Sequence, residues 1–337
     1  MKRILAAIIV MLLIGLPAVT INVKAKGQLV YVDDDNVTGP WSGTTDHPYR
    51  IIQQAIDNLS QQDSFIYVAK GKYPENVVIP STLTGLQITL WAVQPDIDDK
   101  NPVLNGSGKG TGITIEASNV IISRLNITNY GQKDLDACIY IQSDTTNVRI
   151  EHNNISLAFT GIGTQRVKTG DTVHKFLYNH IYDITDRGIN IVLAYANEIK
   201  NNIIDHCHWG FYIVDTNKNT IQDNDISHCF EGGVIDVGIQ NSVVHNTFHD
   251  NDVIGFVTVN TKGTEITQNN FLDHFTGTSD PVWFRTFFII NSDKWSANYY
   301  GRLAFPILKP IIGEFMIPAM RPLPWIRFEL LPSEHLN

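Results

Sequence analysis

Apolar and polar positions along this chain recur over whole repeats rather than over the 2 or 3.6 residues of a single element. Anchored on Ile127, Ile155, Ile181, Ile203, Ile226, Phe248 and Phe271, the pattern returns after 28, 26, 22, 23, 22 and 23 residues. Two positions before each anchor stands Asn153, Asn179, Asn201, Asn224, Asn246 or Asn269, with Leu125 as the one exception. Five positions before stands Ile122, Ile150, Phe176, Ile221, Val243 or Ile266, and only the fourth repeat slips, offering Glu198 with Ile199 beside it. A fixed period in this range means one supersecondary unit stacked on copies of itself.

The unit is all strand. Segments such as 188–192 and 210–214 are β-branched and aromatic, are bounded by Asn, Asp and Gly, and leave no room for an amphipathic run of helical length. Three short strands and three turns fill about 22 residues, and coils stacked at about 4.8 Å pair each strand with its copies above and below. The fold class predicted is therefore all-β, a right-handed, single-stranded parallel β-helix. The Asn column fits that geometry, because a side-chain amide at a bend bonds its equivalents in neighbouring coils. A leucine-rich repeat shares the period and an Asn ladder, but it needs Leu where this chain has Ile, Val and Phe.

The flanks differ from the repeats. Residues 1–25 read as an export signal: Lys2 and Arg3 precede the apolar run from Ile4 to Leu16, and Val23-Lys24-Ala25 suits cleavage. An uncleaved anchor is the alternative, and both place the remainder outside the cytoplasm. Residues 26–62 form a lead-in with one amphipathic helix predicted over Tyr49 to Leu59, Ile51, Ile52, Ala55, Ile56 and Leu59 sharing a face that caps the open end of the solenoid. Residues 63–279 are assigned to the β-helix. From 280 to 337 the period disappears among seven prolines and many aromatics, which predicts an extended apolar arm. Strands such as 211–214 and 256–259 are apolar on both alternations, so the arm is expected to cover their outward face or to touch a membrane.

The net charge of −9 and pI near 5.6 argue against nucleic acid or an anionic membrane surface as partner. Sequons at Asn36, Asn58, Asn105, Asn126 and Asn154 are compatible with export, although Asn126 and Asn154 fall within coils.

Three stretches carry a family resemblance: Tyr31-Val-Asp-Asp-Asp, the segment 47–57 beginning His47-Pro-Tyr-Arg, and the segment 65–77 beginning Phe65-Ile-Tyr-Val. With the Asn-x-Ile coils that follow, residues 30–273 resemble secreted parallel β-helix proteins of the pectate-lyase-like and NosD-like families. Segments 298–301, 309–313 and 324–328 resemble the closing segments of NosD-like proteins. The resemblance implies the fold and an extracytoplasmic place; lyases, hydrolases, epimerases, adhesins and an accessory protein of copper-enzyme maturation share it, so it selects no reaction.

Candidate chemistry lies at three places. Asp183, Asp205, His228, Asp250 and Asp273 stand two positions after the anchors, an ionisable column whose neighbours bracket the carboxylate separations of glycosidases; a turn favouring Asp explains it equally. Cys207 and Cys229, one coil apart, predict stacked buried thiols, with a disulfide or a copper or zinc site using His206, His208 and His228 as alternatives. Cys138 stands alone. Asp96, Asp98, Asp99 and Asn101 are oxygen-rich enough for Ca²⁺ but lack the Gly and distal Glu of an EF-hand. The reading reached from the sequence is a secreted or cell-surface β-helix binding a polysaccharide or cell-envelope component along its lateral face. A polysaccharide-active lyase or hydrolase and a NosD-like maturation accessory are its alternatives.

Overall fold

A computed structural model describes residues 27–90, 101–165, 172–272, 282–286, 293–299, 308–315 and 323–330, the last two segments and 282–286 by their backbone. The chain is a right-handed parallel β-helix with three sheets. The first runs from Leu29–Val32 through Phe65–Val68 and Gln87–Leu90 to Lys294–Ser296. The second runs from Lys72–Tyr73 to Asn270–Leu272, and the third from Val77–Ile79 to Val282–Thr286. In two coils the second and third sheets share one continuous strand, His180–Val192 and Ile203–Asn217.

Each coil turns at three corners, and each corner is built alike: one residue in the left-handed region, followed by one that points inward. At the corner between the first and second sheets, His152, Tyr178, Asn201, Asp223, His245, Gln268 and Ala297 have φ of 55–57°. The next residues, Asn153 to Asn298, are buried. Asn153 Oδ1 accepts the N–H of Leu125, and from Asn179 on each Oδ1 accepts from the backbone N–H and the Nδ2 of the preceding coil's Asn, as Asn224 does from Asn202 at 2.9 Å for both. Each Nδ2 also donates to a backbone carbonyl, as Asn224 does to Ile199 at 2.8 Å. Every amide is thus satisfied, which is what permits a polar column inside an apolar core.

The fourth repeat corrects the sequence register. Ile203 is 50% exposed and Asn201 takes the bend, whereas Ile204 and Asn202 are buried. The doubled run Asn201-Asn-Ile-Ile204 offers either residue of each pair, and pairing of Ile181 with Ile204 and of Ile204 with Ile226 selects the second. With Ile204 as anchor, Ile199 falls five positions before it and the apparent slip disappears. A second interior ladder, Asn197–Asn219–Asn241, occupies the corner between the third and first sheets with Nδ2 to Oδ1 distances of 3.0 Å.

Glycine is demanded where the third sheet starts. A Cβ on Gly161, Gly188, Gly210 or Gly232 would stand 2.3–2.5 Å from the carbonyl oxygen of the glycine in the next coil.

The cap is shorter than predicted. Its helix spans Ile52–Asp57, Tyr49 bridges to Val32 instead, and Ile51 is exposed. No side chain of its own caps it; the Glu75 carboxylate, 22 and 23 residues on, accepts the N–H groups of Ile52 and Gln53 at 2.8 Å. The first sheet also begins at Leu29, ahead of residue 63. The coils likewise continue past 279: Asn298 extends the Asn column, accepting from Asn269 Nδ2 at 3.0 Å, and Tyr299 bridges to Asn270. Beyond them Leu308–Phe315 pairs with the Val282–Thr286 strand and folds back antiparallel on Leu323–Leu330. Proline therefore does not prevent strand formation here; Pro310 precedes the stretch that pairs with the coil, which starts at Ile312. No helix among the described residues is long and apolar enough to cross a membrane. The export signal, the side chains of the arm and Asp96, Asp98 and Asp99 lie outside the described residues.

Candidate functional site

The outer face of the third sheet carries a row in register: Tyr140, Gly163, Asn190, Tyr212, Val234 and Val257. Alternation along each strand sends these side chains outward while Ile139, Ile162, Ile189, Phe211 and Ile235 fill the core. Toward the C-terminal coils the outward residues bury one another: Val234, Ile254 and Val257 form a separate apolar cluster with Trp209, Tyr212 and Val259 packed against it.

Toward the N-terminal coils the same row opens. Gly163 contributes no side chain, and an added Cβ would sit 3.0 Å from Tyr140 Cδ2. The gap is a cleft of about 200 Å³ lined by Tyr140, Gly163, Gln165, Arg187, Asn190 and Asp134 among others. Arg187 is held across its end, with Nη1 3.2 Å from Asp186 Oδ2 and the guanidinium carbon 4.9 Å from the Tyr212 ring centre and 5.3 Å from that of Trp209. Trp209 in turn donates Nε1–H to Glu231 Oε2 at 3.0 Å. Of the residues lining it, Arg187 Nε and Asn190 Oδ1 are buried with no protein partner. An aromatic ring beside guanidinium and amide groups in an open cleft suits a ligand carrying hydroxyls on an apolar ring. Burial raises the Asp186 carboxyl, Arg187 and His208 oppose that rise, and Asp134 adds to it.

The predicted ionisable column does not form as written. With the register corrected, the left-handed bend positions between the second and third sheets are Asp183, His206, His228 and Asp250, with φ of 51–53°. Asp205 lies one residue earlier, paired across the sheet with Tyr182 and Ser227. Asp183 and Asp250 are three coils apart, about 14 Å, beyond the separations of retaining or inverting glycosidases. Asp273 lies outside the described residues.

What this corner does hold is a chain of imidazoles and carboxylates. Asp205 accepts from His180 Nε2 at 2.8 Å and from His206 Nδ1 at 2.7 Å. Burial would raise the Asp205 carboxyl, but these hydrogen bonds and the imidazole charges hold it below its ordinary value. His249 lies between Asp225 (2.9 Å) and Asp250 (2.7 Å), which lift its pKa against the opposing effect of burial. His206 and His228 stack with centres 4.9 Å apart and planes 1° from parallel, and His208 stacks on Phe230 at 4.7 Å.

Cys207 and Cys229 are free, buried thiols in the inward column that also contains Ile184. Burial, then the neighbouring Cys229, pushes the Cys207 thiol up well above its ordinary value. The mixed thiol–imidazole metal set predicted from Cys207, Cys229, His206, His208 and His228 is therefore divided by the wall of the coil, thiols inside and the stacked imidazoles outside. Among the described residues no group of three or more His, Cys, Asp or Glu is arranged to hold a metal ion. Of the proposed calcium loop only Asn101 is described, and its carbonyl accepts from Asn126 Nδ2 at 3.4 Å.

Sequence reasoning missed the cleft and the second Asn ladder. Its period was anchored on one corner, whereas Asn197, Asn219 and Asn241 recur at 22 residues immediately before the strands of the first sheet. The Gly161-x-Gly163 pair was legible as a place where an outward side chain is lacking.

Residues 174–282 match the family of NosD, the periplasmic copper-binding protein. Among solved structures the chain is similar to XylC in complex with xylose, with a TM-score of 0.56 at 11% identity over 86% of this chain and 72% of that one. Pectate lyase Pel9A gives 0.53 at 11% over 82% and 79%, and the Dettilon tailspike protein gives 0.53 at 14% over 80% and 62%. No curated protein sequence matches significantly. The chain is a parallel β-helix protein of pectate-lyase-like fold whose central coils are NosD-like; at these identities the solved structures establish the fold alone.

Proposed function

We propose that this protein is an extracytoplasmic β-helix that binds a glycan across the outer face of its third sheet, with the cleft at Gly163 holding one sugar ring. The observation that carries the reading is the cleft itself, where Gly163 leaves about 200 Å³ open between the Tyr140 ring and the polar side chains of Arg187, Asn190 and Gln165. A sugar hydroxyl both donates and accepts, so one ring can bond the guanidinium and amide groups lining the cleft while its apolar face lies on the tyrosine. The structural neighbours, a xylose complex and a pectate lyase, support a carbohydrate ligand, and the match to a periplasmic family supports the location.

The test is a calorimetric titration with a panel of neutral and acidic oligosaccharides. Tyr140→Ala and Gly163→Val are each expected to weaken binding at least tenfold, the first by removing the stacking surface and the second by filling the cleft. Ser242→Ala, on the first sheet, should bind as the parent does. Binding unaffected by both cleft substitutions would overturn the reading.

A further inference from the structure

The loop from Gly131 to Asp136 belongs to none of the three sheets, yet it supplies two of the residues that line the cleft, Asp134 and Leu135. The other lining residues come from the third sheet and from Gln165, which follows one of its strands. We propose that this loop is a second wall of the glycan cleft and that Leu135 is a ligand-contacting residue, giving the bound ring an apolar contact in addition to the Tyr140 ring. The inference rests on the glycan reading and adds to it a residue that the core does not use.

Three observations carry it. The first is exposure: Leu135 is 70% exposed, the most exposed large apolar side chain among the described residues, so core packing does not hold it there. A single exposed leucine needs no explanation by itself, but this one stands on the wall of an open cleft. The second is the backbone. Leu135 has φ of 77°, whereas every other non-glycine residue of positive φ among the described residues lies between 50 and 66°. A bulky side chain is disfavoured in that conformation, which glycine adopts without steric cost, and residues held this way cluster at ligand clamps.

The third is that the loop is tied down. The carbonyls of Gly131 and Asp136 accept the N–H groups of Phe159 and Thr160 in the next coil at 3.0 and 3.1 Å. Asp136 N–H donates to Lys133 O at 2.9 Å, and the Asp136 carboxylate accepts the Lys133 N–H at 3.0 Å. Thr185, one coil further on, donates its hydroxyl to Gln132 Oε1. Leu135 is therefore in position before a ligand arrives, and binding does not have to order the loop. Burial raises the Tyr140 phenol and the Asp134 carboxylate adds to that rise, so the tip of the loop lies within electrostatic reach of the ring. Leu135 and Tyr140 supply apolar contact, and Asp134, Gln165, Arg187 and Asn190 supply hydrogen bonds, a division that matches a pyranose with apolar faces and a polar rim.

Calorimetric titration of the intact chain and its variants with xylo-, manno- and galacturonate oligosaccharides, alongside denaturant unfolding, tests the proposal. Leu135→Gly, which the backbone of the loop accepts, should weaken binding at least fivefold and unfold no earlier than the parent. Leu135→Met keeps an apolar side chain and should bind within about twofold of the parent. Gln132→Ala, which frees the loop from Thr185, should weaken binding by a smaller factor than Leu135→Gly. A fall in the unfolding midpoint of Leu135→Gly that accounts for its loss of binding would make Leu135 structural and overturn the proposal. So would Leu135→Gly binding as the parent does while Tyr140→Ala does not, a result that leaves the glycan reading standing. Unchanged binding in Leu135→Gly, Tyr140→Ala and Gly163→Val alike, or no binding of any of these oligosaccharides to the parent, would overturn the glycan reading and this inference with it.

Discussion

Two corners of the same coil solve the same problem in opposite ways. Both place a residue near φ +55° and follow it with one that points inward. Between the first and second sheets the inward residue is Asn in seven consecutive coils, from Asn153 to Asn298. Between the second and third it is Tyr130, Ala158, Ile184, Cys207, Cys229 and Asn251 in turn. The first corner repeats because each amide needs the next one as its partner; a break in the column leaves donors and acceptors buried on both sides. The second corner packs by shape, so its interior varies, and its exposed bends are free to carry Asp and His.

The largest effect expected from breaking this contrast is at Asn224. Its side chain serves Asn202 N–H, Asn202 Nδ2, Ile199 O and Asn246 Oδ1. Asn224→Ala leaves all four with a partner missing and is expected to cost about 3 to 4 kcal/mol in denaturant unfolding, in a protein where a single unsatisfied group costs about 1–3. A loss under about 1 kcal/mol would mean that water fills the gap and that the column is not the reason for the corner's regularity.

The third corner supplies a sharper comparison, because an imidazole there occupies the place of an amide. His174 precedes Asn197 in the interior column; its Nδ1 accepts the Val148 N–H at 3.1 Å, and its Nε2 is buried with no partner. Burial lowers its pKa to about 4 from an ordinary 6.5. Between these values the unfolded chain holds the proton and the folded one does not, so stability rises with pH through this window and is lost as pH falls from about 6.5 to about 4. The contribution at pH 4 is about 3 kcal/mol, from about 1.36 kcal/mol per pH unit. His174→Asn, which restores the amide of the neighbouring coils, should remove this part of the acid sensitivity; an unchanged difference between pH 7 and pH 4 would count against it.

The same contrast explains what could be read from the sequence. Period, fold and the first Asn column were legible because the column admits one residue type, and repetition of one type is what a sequence displays. The register of the fourth coil was not, since Asn201-Asn202 and Ile203-Ile204 satisfy the pattern either way and only pairing to Ile181 and Ile226 decides. That single step moved Asp205 out of the bend column and His206 into it, and with it the expected carboxylate row became a row with two imidazoles at its centre. The cleft was hidden for another reason. It is made by the absence of a side chain at Gly163 between Tyr140 and Asn190, three residues on three different coils whose adjacency depends on strand pairing.

The smallest effect is expected at the exposed bend of the second corner. His228 is exposed, has φ of 51°, and packs only through its ring against His206 and, edge-on, His249. Asn tolerates that backbone region better than most residues, and surface substitutions outside special features stay within about 0.5 kcal/mol. His228→Asn is therefore expected to unfold at the parent's denaturant midpoint, to within that margin. A variant weakened by as much as Asn224→Ala would show that the bend is structural after all, and that the two corners differ less than their chemistry indicates.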